Sequence, residues 1–320
     1  MNYRNLGLTK LRISEIGFGA WGIGGVSKNT LSYGITHDSE SKNALQQAFE
    51  LGITFYDTAD LYGNGRSERL IGTVFKKRRK DIVIASKVGF LNSRGDQDFS
   101  IKHLKQSIHG SLKRLQTDYL DLYQLHNPAI DLLEKNEAMI DFLKKLKKAG
   151  KIRAFGISLR SPEDGLKAVQ TFGFKVVQVN FNLVDQRALQ SGLFDLCEKE
   201  NVGIICRTPL CFGFLTGDYS GNEHFGKQDH RSKWPPKQIK RWAGAYQLFR
   251  SGASGKNKQT DAQVALRFCL SYRAVSCVIP GMLTTQHVCE NCPASRLGPL
   301  TKKERAGIEK IYQENSFFIR

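Results

Sequence analysis

Eight short apolar, β-rich runs recur along the chain, at 15–20 (EIGFGA), 53–58 (ITFYDT), 81–87 (DIVIASK), 119–126, 152–158, 175–181, 202–208 and 274–280. Most lack strict polar alternation, as expected of strands buried on both faces of a parallel sheet. Helical patterns fill the intervals at 39–52, 67–77, 100–116, 134–150, 161–173 and 185–200. The first starts in a serine-rich cap region and ends at Gly52, and the fifth has Ser161 as a cap with Pro162 at the first helical position. Eight strands with helices between them and no domain-breaking linker imply an α/β fold: a parallel eight-stranded (β/α)8 TIM barrel, one domain over residues 1–320. A doubly wound open sheet is the alternative.

One interval breaks the rhythm. From Cys211 to Thr260 the chain is rich in Gly, Ser, Asn and Lys, carries Pro235–Pro236, and contains one helical stretch, PPKQIKRWAGAYQLFR. This long loop follows strand seven, so it is expected on the C-terminal face, where barrel active sites are built. Two motifs mislead. Gly17-Phe-Gly19-Ala-Trp-Gly22 matches G-x-G-x-x-G, but a dinucleotide fingerprint must open a helix and a loop is expected here. Cys289-Glu-Asn-Cys292 is a lone CxxC without a second ligand pair, so no metal is expected and two incidental thiols on a helix are.

Seven cysteines without regular spacing suit a reducing compartment, and neither a signal peptide nor a bilayer-length apolar run is visible. The expectation is a cytoplasmic protein with no membrane partner. The net charge of +18 is unusual. Its densest runs, KKRRK (76–80) and KKLKKAGK (144–151), end helices and precede strands, which puts them at the barrel's N-terminal face. Without interleaved aromatics or a nucleic-acid-binding fold, they read as a solvated face that complements helix C-termini, not as specific nucleic-acid recognition.

In a barrel the strand ends converge on one mouth. Asp57 ends strand two, Lys87 strand three and His126 strand four, and Tyr62 lies in the loop after strand two. A lysine closing the apolar run IVIASK needs a partner, and Asp57 is the natural one. The ammonium is then expected to lower the pKa of Tyr62 from its usual ~10, giving a tuned general acid. No serine or cysteine nucleophile has a supporting base, so hydride transfer from a nicotinamide is the best-fitting chemistry.

These residues are familiar. FYDTADLYGNGRSERLIG, IASKVG and DLYQLHNP, with the N-terminal YRNLGLTKLRISEIGFGAWGIGG and the late TPLCFGFLTGDY and VIPGMLTTQHVCEN, resemble the aldo-keto reductase family nearly end to end. The resemblance implies an eight-stranded barrel with an N-terminal β-hairpin cap and an extended pyridine nucleotide across the mouth. It implies Tyr62 as proton donor, tuned by Asp57 and Lys87, with His126 orienting the substrate carbonyl. Ser158 and Gln178 would hold the nicotinamide carboxamide, with Asp57 and Trp21 also at the cofactor, and Arg207 stands where many members place a tyrosine against the ring. Thr208, Leu210 and Gly213 would follow the pyrophosphate; Gly281, His287, Glu290 and Asn291 would lie near the adenosine. Trp21, Phe90, Asn127 and the 211–235 loop would shape the substrate pocket, and QDHRS within that loop resembles a feature of reductases acting on sugars or related polar carbonyls.

Two positions depart from the pattern. Leu159 stands where an asparagine usually follows the serine. Gly281, Met282, Leu283 and His287 occupy positions where NADP-preferring members carry cations. NADP(H) is expected from the family's habit, and NAD(H) stays open. The expected function is reversible NAD(P)H-dependent reduction of a small-molecule aldehyde or ketone, such as a sugar-like or other polar carbonyl, to the alcohol. The alternatives are a cofactor-binding regulatory subunit on the same barrel, as in potassium-channel β subunits, and a weakly polyanion-binding basic protein.

Overall fold

The computed structural model describes residues 1–250 and 259–319. Strands β1 (Tyr3–Asn5) and β2 (Arg12–Ser14) form an antiparallel hairpin. The barrel strands are β3 (Phe18–Gly19), β4 (Phe55–Asp57), β5 (Val83–Val88), β6 (Leu120–His126), β7 (Ile152–Ser158), β8 (Val176–Asn180), β9 (Gly203–Arg207) and β10 (Val275–Ile279). They pair in parallel in chain order. Parallel bridges Ile16–Val278 and Gly19–Gly281 join the first to the last, with Gly17 N donating to Val278 O at 2.8 Å. The sheet is therefore a closed barrel, not an open doubly wound one.

The helices are α1 (Trp21–Gly24), α2 (Asp38–Glu50), α3 (Arg66–Phe75), α4 (Ile101–Leu115), α5 (Ile130–Lys135), α6 (Glu137–Lys148) and α7 (Pro162–Gln170), followed by α8 (Arg187–Gln190), α9 (Leu193–Lys199), α10 (Pro236–Arg250), α11 (Asp261–Leu270), α12 (Thr285–Asn291), α13 (Pro293–Leu297) and α14 (Lys302–Glu314). Their starts follow the expected chemistry. The Ser161 hydroxyl accepts from Asp164 N at 3.2 Å, and Thr260 and Thr301 form reciprocal capping boxes with Gln263 and Glu304. Two expected helices are each broken in two. The 134–150 pattern divides at Asn136, whose φ of −142° and ψ of 67° are not helical. The 185–200 pattern divides at Gly192, which takes φ +80°.

One helical turn, α1, begins inside the G-x-G-x-x-G stretch at Trp21, and from Gly25 to His37 the chain runs as the expected loop. The motif's glycines serve close packing. A Cβ on Gly19 would lie 2.7 Å from Pro280 O, and one on Gly22 would lie 2.9 Å from the Leu283 side chain. Residues 251–258 of the 211–260 interval lie outside the described residues.

Two apolar cores result. Outside the barrel, the strands' outer faces pack on the helices. Inside, Phe55, Ala85, Leu122, Ala154, Val176 and Ile205 meet Leu6, Leu11 and Ile13 of the hairpin segment. A Cβ on Gly7 would sit 2.4 Å from the backbone nitrogen of Gly203, the first residue of β9. The hairpin thus plugs the N-terminal end, and each fully buried Leu or Ile contributes about 1.5–3 kcal/mol. With that end sealed, ligands have the opposite mouth.

The basic run 76–80 falls in the 3-10 turn leading into β5, and 144–151 spans the end of α6 and the turn into β7. Both are at the N-terminal face. Arg79 is not merely solvated there: it donates to Asp121 Oδ2 at 2.7 Å and stacks 4.1 Å from the Tyr119 ring.

Candidate active site

Inward positions along a strand recur every second residue. From Phe55 this gives Asp57; from Ala85, Lys87; from Leu122, Gln124 and His126; from Val176, Gln178; and from Ile205, Arg207. The apolar filling therefore turns polar in its top layer. Register holds these groups side by side, with Lys87 opposite Gln124, His126 opposite Ser158, and Ser158 opposite Gln178.

The Lys87 ammonium is the hub. It donates to Asp57 Oδ1, to Thr58 O at 3.0 Å and to the Tyr62 hydroxyl at 3.3 Å. The other carboxylate oxygen of Asp57 accepts from Gln178 Nε2 at 2.8 Å and Gln124 Nε2 at 3.1 Å. A buried ion pair is tolerable when its remaining bonding sites are filled in this way. Burial pulls the Lys87 pKa down, but Asp57 and Tyr62 more than offset it and the net shift is upward. The ammonium is permanent at neutral pH.

The Tyr62 hydroxyl behaves against expectation. Its pKa is raised, not lowered. Desolvation of the phenolate is the largest effect. Lys87 opposes it, but its charge is shared with Asp57, which itself pushes the phenol upward. Sequence showed the ammonium but not the depth of burial. His126 is held well below the usual histidine range, first by burial and then by Lys87, Arg207 and Arg160, so its imidazole is neutral. Its ring lies edge-on to Tyr62 with centroids 6.0 Å apart, and Phe90 packs against it at 4.8 Å.

These side chains open into a cleft of about 910 Å³, near the top of the ~300–1,000 Å³ range of small-molecule and cofactor sites. Trp21, Asp57, Tyr62, Phe90, His126 and Asn127 border it together with Gln178, Arg207, Thr208, Leu210 and Gly213. Gly281, His287, Glu290 and Asn291 border it as well. Lys87 lies behind Tyr62, and Ser158, fully buried, donates to Asn127 Oδ1 at 3.2 Å instead of facing the cleft. Two buried nitrogens among these residues, His126 Nδ1 and Arg207 Nε, have no partner among the described residues. Burial also draws the Arg207 pKa down to about 10. A ligand with acceptor groups suits such a floor.

The loops add a wall of aromatic rings. Asp229 bridges to Ser32 and Tyr33, and His230 N donates to Ser32 O at 2.8 Å, tying the loop after β9 to the loop after β3. Trp21 and Tyr33 pack on the His230 ring at 4.4 and 4.7 Å. Sequence reasoning placed Trp21 and the 211–235 loop near substrate but missed Tyr33. It also missed Gln124, although the Leu122–Gln124–His126 alternation carries that signal.

A closed (β/α)8 barrel with a deep polar-floored cleft at the strands' C-terminal ends is an enzyme's architecture. The family model for the aldo/keto reductase family matches residues 15–313. The oxidoreductase YqkF of Bacillus subtilis, described as uncharacterized, is 30% identical over 99% of this chain and 98% of its own length. The fission yeast "Aldo-keto reductase yakc [NADP(+)]" is 31% identical over 91% and 87%. The holo form of aldo-keto reductase AKR11C1 from Bacillus halodurans superposes with a TM-score of 0.79 at 28% identity, over 99% of this chain and 98% of that one. The chain belongs to the aldo/keto reductase family and is an NAD(P)-dependent oxidoreductase whose substrates are small carbonyl compounds or alcohols. No helix among the described residues is long and apolar enough to cross a membrane.

Proposed function

We propose that the chain reversibly reduces a polar aldehyde or ketone with NADP(H), and that Tyr62 supplies the proton. One observation carries this reading: the Tyr62 hydroxyl lies 3.3 Å from a buried ammonium that Asp57 holds in place. A bound reduced nicotinamide supplies the hydride. Tyr62 keeps its proton until a carbonyl oxygen takes it, because its raised pKa disfavours the free phenolate. As the proton leaves, the phenolate that forms is stabilised by Lys87 at hydrogen-bond distance. Neutral His126 offers a hydrogen bond to the same oxygen without adding charge. Trp21, Phe90 and Asn127 line the space beside it and exclude water.

The same reading gives Arg207 and Gln178 to the nicotinamide end, while the Ser158 hydroxyl, expected there, is taken up by Asn127. Gln178 spends its NH2 on Asp57 and keeps its oxygen for a carboxamide N–H. Thr208, Leu210 and Gly213 follow the pyrophosphate on a backbone that takes φ +53° at Thr208 and +96° at Gly213. Gly281, His287, Glu290 and Asn291 serve the adenosine end. NADP(H) is favoured by the naming of the fission yeast relative. Met282 is buried and cannot reach a 2′-phosphate, which leaves His287 as the polar side chain at those positions. Seven unpaired thiols support the cytoplasm as the compartment.

The test is Tyr62→Phe. It should cut kcat for carbonyl reduction by about 10²–10⁴-fold, while NADPH still quenches tryptophan fluorescence with near-normal affinity. Undiminished turnover removes Tyr62 as the acid. In the wild type, reduction should persist well into alkaline pH and fall only as pH rises through the elevated Tyr62 pKa.

A further inference from the structure

The wall of the cleft beside His126 carries a cation, Arg160, with no anion to meet it among the described residues. Arg160 follows β7, is exposed, borders the cleft, and places its guanidinium 5.8 Å from the Phe90 ring centroid. Phe90 in turn packs on His126. The Arg160 side chain makes no hydrogen bond or ion pair among the described residues. Its charge is nevertheless felt on the floor, where it disfavours further positive charge on both His126 and Arg207. Arg207, with Nη2 on Leu159 O at 2.9 Å, leaves Nε unpartnered. Three carboxylates border the cleft, those of Asp57, Asp218 and Glu290, and Asp57 is already spent on Lys87, Gln124 and Gln178. Arg94, on the same rim, is mostly exposed and its distance to Asp96 is a loose 3.7 Å.

We infer that this enzyme selects a carbonyl substrate carrying an acid group, a carboxylate or phosphate, a few bonds from the carbonyl, and that Arg160 is the specificity-determining residue that receives it. The inference rests on the carbonyl-reductase reading above. With the carbonyl oxygen at Tyr62 and His126, the substrate chain runs past Phe90, and its anionic end meets a planar guanidinium whose fork matches either acid group. The apolar Phe90 ring beneath that fork lowers the local dielectric and lengthens the reach of its charge. The acid group is a spectator: hydride and proton add across the carbonyl, and no bond to the anion changes.

Two matched pairs test this, 4-oxobutanoate against butanal and glyceraldehyde 3-phosphate against glyceraldehyde, assayed with NADPH and with NADH. The wild type should favour the anionic member of at least one pair by about tenfold in kcat/KM, and the pair that responds identifies carboxylate or phosphate. In Arg160→Gln that ratio should collapse toward one. A merely structural loss would lower both members together and leave the ratio standing, which overturns the assignment, as does a wild type with no preference in either pair. If no aldehyde turns over, the reductase reading fails separately, and the anion site is then judged by binding. Quenching of tryptophan fluorescence by 4-hydroxybutanoate but not 1-butanol, lost in Arg160→Gln, upholds it; equal or absent quenching overturns it.

Discussion

Lys87→Met probes the centre of the site most directly. The wild-type ammonium and carboxylate have side chains only 1% and 3% exposed. Removing the ammonium leaves Asp57 buried with two neutral amide donors, Gln124 and Gln178. Breaking a buried pair from one side costs about 3–5 kcal/mol, because the remaining charge keeps its desolvation penalty. The Lys87→Met variant should therefore be less stable than the wild type by about that amount at neutral pH. Adding Asp57→Asn removes the charge while keeping an acceptor for the two glutamines. The double variant should recover about 2 kcal/mol of the loss. Urea unfolding of the three proteins at neutral pH measures this through the shift in midpoint. A single variant within about 1 kcal/mol of wild type at neutral pH, or a double variant no more stable than the single, refutes the view that Asp57 depends on Lys87 for its charge.

Two other buried features give predictions. Asp60 Oδ2 accepts from Ser107 at 2.5 Å, while Oδ1 is buried without a partner among the described residues; burial and then Glu68 raise its pKa to about 7. Its raised pKa means that stability is lost as pH climbs from ~4 toward 7, so Asp60→Asn should gain on the wild type over that window and hold a constant advantage above it, as thermal melts at several pH values will read. Gly63 takes φ +59°, and a Cβ there would lie 2.1 Å from Gly24 O; Gly63→Ala should cost at least about 2 kcal/mol and reduce kcat by displacing the neighbouring Tyr62, both checked by melting temperature and steady-state rate.

How far sequence reached can be read from individual residues. The strand-end positions of Asp57, Lys87 and His126 followed from apolar runs that stop at a polar residue, because a strand's last inward position is fixed by its period of two. Helix continuity was less legible. The 134–150 pattern keeps its apolar periodicity across Asn136, and only backbone angles reveal the break. Gly192 did carry a warning, since an interior glycine weakens a helix. The direction of the Tyr62 shift was out of reach, because it is a contest between one visible ammonium and a desolvation to which rings distant in sequence, Trp21 and His126, contribute. Ser158 was expected to face a ligand, but its hydroxyl turns to Asn127, whose φ of +53° brings its side chain within reach. That contact depends on loop geometry no local pattern encodes.

The polar top layer also argues for its own purpose. Inside the barrel, apolar residues rise from the hairpin plug through Phe55, Ala85, Leu122 and Ile205, and leucine or methionine at positions 57 and 87 would continue that packing. Replacing a buried ion pair with well-packed apolar groups is often neutral or stabilising by about 1–4 kcal/mol. Stability alone thus gives no reason to hold an ammonium, a carboxylate and two amides there. Their cost falls in the one layer that a ligand can reach, since the hairpin closes the other end. Where the barrel could most readily have been sealed with hydrocarbon, it instead holds a protonated phenol against a fixed positive charge. Every group that raises the cost of folding there also bears on that proton: burial keeps it on the oxygen, Asp57 fixes the lysine, and the two glutamines fix Asp57. A fold selected only to persist has no use for that chain of dependence, whereas the proposed release of the Tyr62 proton to a carbonyl uses each link.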